Sequence, residues 1–125
     1  MEVGFVYDPI YLEHDTGQHV ENAERLEAII SHLEQTGLKQ QLTHIKPRAA
    51  SVEELALVHH KHYISHIQEK AQRGGGWLDA DTVMSPNSYQ AAVYAAGGVT
   101  RATEAVMDEE VGSAFALVRP PGHHA

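Results

Sequence analysis

The chain has 125 residues, 42% hydrophobic and 21% charged, with no cysteine and a formal charge of −8 from 17 acidic and 9 basic side chains. That balance excludes a disordered chain, and the lack of cysteine excludes a disulfide framework or a thiolate metal site. An acidic surface repels phosphate backbones, and no apolar run approaches the roughly 20 residues that cross a bilayer, so neither nucleic acid nor membrane is an expected partner.

Residues 1–4 carry neither a basic start nor a long apolar stretch, which is not the pattern of a signal peptide; the expected location is the cytoplasm. Residues 3–7 are a short apolar run closed by Asp8 and Pro9, the pattern of a strand and a turn. Residues 11–22 are polar and irregular and carry His14, Asp15 and His19. Asn22 then caps a helix whose Leu26, Ile29, Ile30 and Leu33 share one face, and Gly37 stands where a left-handed residue closes a helix. Residues 42–45 form a second short strand, ended by Pro47.

Ser51 and Glu54 have the spacing of a capping box, opening a short helix that carries Leu55 and Val58. A further helix turns Tyr63, Ile64 and Ile67 inward and stops at Gly74, Gly75 and Gly76. Residues 77–83 read as extended or looped. Ser85 and Pro86 are a helix start, serine as cap and proline in the first turn, and this helix runs to about Met107. Its inward side is expected to hold Tyr89, Val93, Ala96, Val99 and Thr103. Gly97 and Gly98 each cost it about 1 kcal/mol against alanine but let it lie close to a sheet. Residues 114–118 make a third strand. Strands alternating with helices predict an α/β domain with a mainly parallel sheet, and the apolar runs at 3–7 and 114–118 suit a sheet covered on both faces.

The chemistry concentrates in Arg119, Pro120, Pro121, Gly122, His123 and His124, which leave the end of that third strand. Ligands of open α/β sheets bind at the carboxyl ends of strands. Two prolines stiffen this exit, and two adjacent imidazoles, resisting simultaneous charging, can divide the work of base and acid. A solvated loop with incidental histidines remains the alternative at this level.

The heptapeptide Arg-Pro-Pro-Gly-His-His-Ala at 119–125 resembles the histidine-pair motif of class II histone deacetylases and their bacterial relatives, acetylpolyamine amidohydrolases and acetoin-utilisation proteins. The resemblance extends over nearly the whole chain: Tyr7-Asp8-Pro9, His14 to Gly17, His19-Val20-Glu21 with Arg25-Leu26, Val58-His59 with Tyr63-Ile64, and Leu78 to Thr82 followed by Ser85, Ser88, Tyr89 and Ala92. Val20 and the pair Asn22-Ala23 depart from it, standing where prolines are usual.

The resemblance implies a three-layer α/β/α arrangement of the arginase–deacetylase kind, with residues 1–125 the N-terminal part of one catalytic domain. It implies zinc-dependent hydrolysis of N-acyl amides on lysine or polyamines, so an acylated amine is the expected substrate. His124 is matched to the general base and then acid, and His123 to the more positive partner that supports the oxyanion. Asp81 is matched to a rim carboxylate that accepts hydrogen bonds from substrate amides, and Arg25 to an arginine near the channel floor that attracts the released carboxylate. Read alone, Asp81 is equally a turn aspartate and Arg25 an arginine on a helix's polar face.

The family's zinc ligands lie downstream of the histidine pair. The chain by itself is therefore expected to hold no zinc, to be inactive, and to form a homo-oligomer through its unpaired strand edge. Substitute metal sites at His14, Asp15 and His19, or at His59 and His62, lack a spacing that fixes a tetrahedron. Two other readings stand beside the enzyme: a non-catalytic deacetylase-like binding or assembly module, and an unrelated α/β domain whose histidines bind metal casually.

Overall fold

Phe5 and Val6 point to opposite faces of the first strand, yet they are 2% and 0% exposed, as a strand covered on both sides requires. In this computed structural model, which describes residues 1–123, that strand is β1 (Val3–Val6). It lies between β2 (Thr43–Ile45) and β5 (Ser113–Ala116), both parallel to it, in the order β2-β1-β5. Phe5 sits level with His44 on one neighbour and Phe115 on the other. The Leu117 N–H donates to the Val6 carbonyl at 2.8 Å and carries the pairing past the end of β5.

Helix α1 (Glu24–Gln35) begins where Asn22 accepts the Glu24 N–H at 3.0 Å, and it ends before Gly37, whose φ of 77° is left-handed. Leu26 is fully buried, and Ile29, Ile30 and Leu33 pack against the same core. Tyr7 lies near this helix. Burial first, and then the Glu27 carboxylate, push its hydroxyl pKa up.

The capping box at α2 (Val52–Leu55) is complete: Ser51 Oγ accepts the Glu54 N–H at 3.1 Å, and Glu54 Oε1 accepts the Ser51 N–H at 2.9 Å. The helix is shorter than expected, and Val58 lies beyond it, 83% exposed. In α3 (Lys61–Gln72), Ile64 and Ala71 are buried and Ile67 half-buried, a narrow stripe at i, i+3 and i+7. Tyr63 stands about 100° off that stripe and is largely exposed, contrary to the inward expectation. Residues 76–84 form a small antiparallel hairpin, β3 (Gly76–Trp77) with β4 (Val83–Met84), that presents its loop towards residues 14–22.

Helix α4 (Ser88–Met107) departs from the sequence reading twice. It starts three residues after Ser85, because the Ser85 hydroxyl is used elsewhere: it donates to the Glu13 carbonyl at 3.2 Å and accepts the Asp15 N–H at 2.9 Å. Its sheet-facing side is also different. Ala91, Ala95, Gly98, Ala102 and Ala105 are buried; of the expected side Val93 is buried and Tyr89 half-buried, whereas Ala96, Val99 and Thr103 are exposed. The helix approaches so closely that a Cβ on Gly98 would stand 3.0 Å from Val6 Cγ1, a separation that selects the smallest residues for the contact. The row with larger side chains turns towards a cavity instead.

Candidate functional site

Arg119 leaves the carboxyl end of β5 and is completely buried. A buried guanidinium needs all its donors paired. Nε and Nη2 grip the two carboxylate oxygens of Glu21 at 2.9 and 2.8 Å, while Nη1 donates to the carbonyls of Tyr11 and His14 at 3.0 and 2.6 Å. One side chain thus ties the strand exit to the whole 11–21 segment.

His14 is buried, its Nδ1 2.6 Å from Ser88 Oγ at the start of α4. Burial and then the Arg119 cation lower its pKa, so the ring stays neutral near pH 7. Burial raises the pKa of Glu21, but the hydrogen bonds and charge of Arg119 outweigh it, and the net shift is downward. Both groups therefore bind a proton more readily in the unfolded chain. Stability should be full above the ordinary histidine value of 6.5 and fall as pH drops below it through His14. A second loss should begin below 4.5 through Glu21. Urea midpoints measured across this range check both steps. In His14→Asn the first step should disappear; a midpoint that stays constant from neutrality down to the carboxylate range in the unaltered chain would contradict the assignment.

The 14–22 segment reaches the β3–β4 loop through His19, whose Nε2 lies 2.8 Å from Asp81 Oδ1 and 2.9 Å from the Asp81 carbonyl oxygen. Asp81 sits in a turn in which its N–H donates to Asp79 Oδ1 at 2.8 Å, and its carboxylate is 73% exposed. Arg25 donates from Nη2 to the Val118 carbonyl at 3.1 Å and lies 3.6 Å from Glu21.

Asp81 and His123 line one cavity of about 490 Å³ at the strand ends. Its walls are largely apolar and include Leu55, Tyr63, Ile64, Val83 and Met84 together with Val118, Pro120 and Pro121 of the strand exit. Arg25 is not among the residues that line it; it braces the exit from behind. His124 lies outside the described residues. A larger cleft of about 720 Å³, bordered by Glu13, Asp15, Glu24 and Glu27, contains neither Asp81 nor His123. Among the described residues no group of three His, Asp or Glu side chains could hold a metal ion. His14 turns to Ser88 while His19 turns to Asp81, so a three-ligand zinc site does not fit these residues.

The sequence reading assigned no role to Arg119 or Glu21. The available signal was an arginine directly following an apolar strand, with no acidic neighbour to pair with. Such a residue needs a partner from a distant segment.

A parallel sheet whose exit loop brings a histidine to an apolar, carboxylate-rimmed cavity is the architecture of an α/β enzyme domain. Residues 19–125 match the histone deacetylase domain, and the chain belongs to that family. A probable deacetylase of Methanothermobacter thermautotrophicus is 37% identical over 120 residues, covering 96% of this chain and 35% of the relative. The histone deacetylase-like amidohydrolase of Pseudomonas aeruginosa is 37% identical over 106 residues, 85% of this chain and 28% of its own length. The crystal structure of the HDA15 HD domain superposes with a TM-score of 0.94 at 29% identity, covering 99% of this chain and 36% of that one. The chain thus spans about a third of the length of such relatives.

Proposed function

We propose that residues 1–125 are the N-terminal part of a deacetylase catalytic domain that hydrolyses N-acyl amides on lysine or polyamine chains. The observation that carries this reading is the shared cavity: His123 and Asp81, from two separate loops, both line one largely apolar cavity. Such walls suit an acyl group and an aliphatic amine chain, and an exposed carboxylate at the rim suits substrate N–H donors. His124 takes the proton from the attacking water and returns it to the leaving amine. His123, the more positive partner, stabilises the developing oxyanion. Arg25 adds a positive charge beside the strand exit that attracts the carboxylate product. The zinc of this reading would be held by residues outside the described chain. The part played by residues 1–125 is proton handling, substrate alignment and the shape of the channel.

The human relative named polyamine deacetylase HDAC10, 39% identical over 111 residues, supports an acylated amine as substrate. A protein carrying the whole domain should release acetate from N-acetyl-lysine peptides or N-acetylpolyamines and lose that activity to a chelator. His124→Ala should remove turnover while bound zinc is retained, and the 125-residue chain alone should release none. No acetate release from the whole-domain protein would refute the reading. Loss of zinc with His124→Ala would make His124 a ligand rather than a base.

A further inference from the structure

His19 has its tautomer dictated by the backbone. The Glu21 N–H donates to His19 Nδ1 at 3.0 Å, and a ring nitrogen that accepts a hydrogen bond carries no proton. The proton of the neutral ring is therefore on Nε2, where it faces Asp81 Oδ1 and the Asp81 carbonyl oxygen. Glu21 is itself fixed, because its carboxylate holds the buried Arg119. An unbroken chain of contacts runs from the strand exit through Arg119, Glu21 and His19 to Asp81. At its far end stands a carboxylate that is 73% exposed, while the His19 side chain holding it is only 17% exposed.

We propose that His19 is the positioning residue of the rim carboxylate: locked as the Nε2–H tautomer by Glu21, it pins one oxygen of Asp81 so that the other is presented to substrate N–H groups. This deepens the deacetylase reading and rests on it. An exposed aspartate in a loop otherwise samples several rotamers, and each binding event then bears the loss of that freedom. A charge-assisted bond from a half-buried imidazole removes the loss in advance. The effect is on substrate alignment and not on proton transfer, because the hydrogen bonds of His19 run to Asp81, Glu21 and Asn22. The coupling also places the rim and the histidine loop in one frame, since Arg119 anchors both.

Two measurements test the assignment. In the whole-domain protein, His19→Ala should raise KM about tenfold and change kcat less than about twofold, the size expected for one charge-assisted hydrogen bond. His19→Gln should restore most of the loss, because its amide can accept from the Glu21 N–H and donate to Asp81. In an Asp81→Ala background, His19→Ala should cost less than about twofold more. Separate, multiplying losses, or a fall in kcat at constant KM, would overturn the role. Independently of turnover, nitrogen-15 spectra of the 125-residue chain at about pH 8 should show the Nε2–H tautomer at His19, with the Nε2 proton signal altered in Asp81→Ala. An Nδ1–H tautomer, or a signal indifferent to Asp81→Ala, would sink the proposal. If the whole-domain protein releases no acetate, the deacetylase reading fails while the spectra still decide whether His19 holds Asp81.

Discussion

Replacing Arg119 by methionine should lower the stability of the chain by about 3–5 kcal/mol, the range for breaking a buried ion pair from one side. The methionine fills most of the space but takes from Glu21, 18% exposed, its two-pronged partner and leaves it only the longer 3.6 Å pairing with Arg25. It also strands the carbonyls of Tyr11 and His14, which have Arg119 as their donor. Arg119→Lys should recover little of the loss, because a single ammonium cannot reproduce a fork that serves a carboxylate and two carbonyls at once. The double change Arg119→Met with Glu21→Leu should recover part of it, since the desolvation cost of the buried charge vanishes with the charge. Urea unfolding followed by far-ultraviolet circular dichroism reads all three variants. A shift of less than about 1 kcal/mol in Arg119→Met would place this pair among weak surface bridges and contradict its burial.

Gly97→Ala is expected to destabilise the chain by about 2–3 kcal/mol, the upper part of the overpacking range, although alanine is the better helix former by about 1 kcal/mol. A Cβ at this position would fall onto the Arg48 carbonyl oxygen and stand 2.6 Å from the Ala50 nitrogen. Neither atom belongs to a side chain that can rotate away. The Ala50 N–H is bonded to the Val93 carbonyl of α4 at 3.1 Å, so the helix and the segment before α2 must separate together. Gly98→Ala meets side-chain atoms instead, Tyr11 Oη at 2.7 Å and Val6 Cγ1 at 3.0 Å, and should cost less. Thermal melts of the two variants give the order directly. Equal melting temperatures for Gly97→Ala and the unaltered chain would show that the helix does not lie this close.

The order of elements, the parallel sheet and several helix ends were legible from local chemistry. Gly37 beyond the end of α1 and the Ser51–Glu54 box act within four residues of themselves, and the structure shows both in that role; Asn22 accepts the Glu24 N–H from one residue before the cap position, which Ala23 occupies. The histidine motif was equally legible, because prolines and a glycine around two imidazoles form a contiguous pattern; it led to the family that the domain match shows.

What could not be read depended on partners far away in the chain. Ser85 looks like a helix cap until Glu13 and Asp15 claim its hydroxyl. Val93 is buried as its place on the expected face requires, but close approach to the sheet put alanine and glycine at the tightest contacts and left Val99 exposed. Asp81 alone is a turn aspartate; set 2.8 Å from His19, it becomes the end of a network reaching 98 residues in sequence from Glu21 to Arg119. Local propensity and motif spacing are properties of adjacent residues and survive in the sequence. Desolvation, close packing and the pairing of buried charges exist only once distant segments are brought together, and they decided where the site's side chains stand.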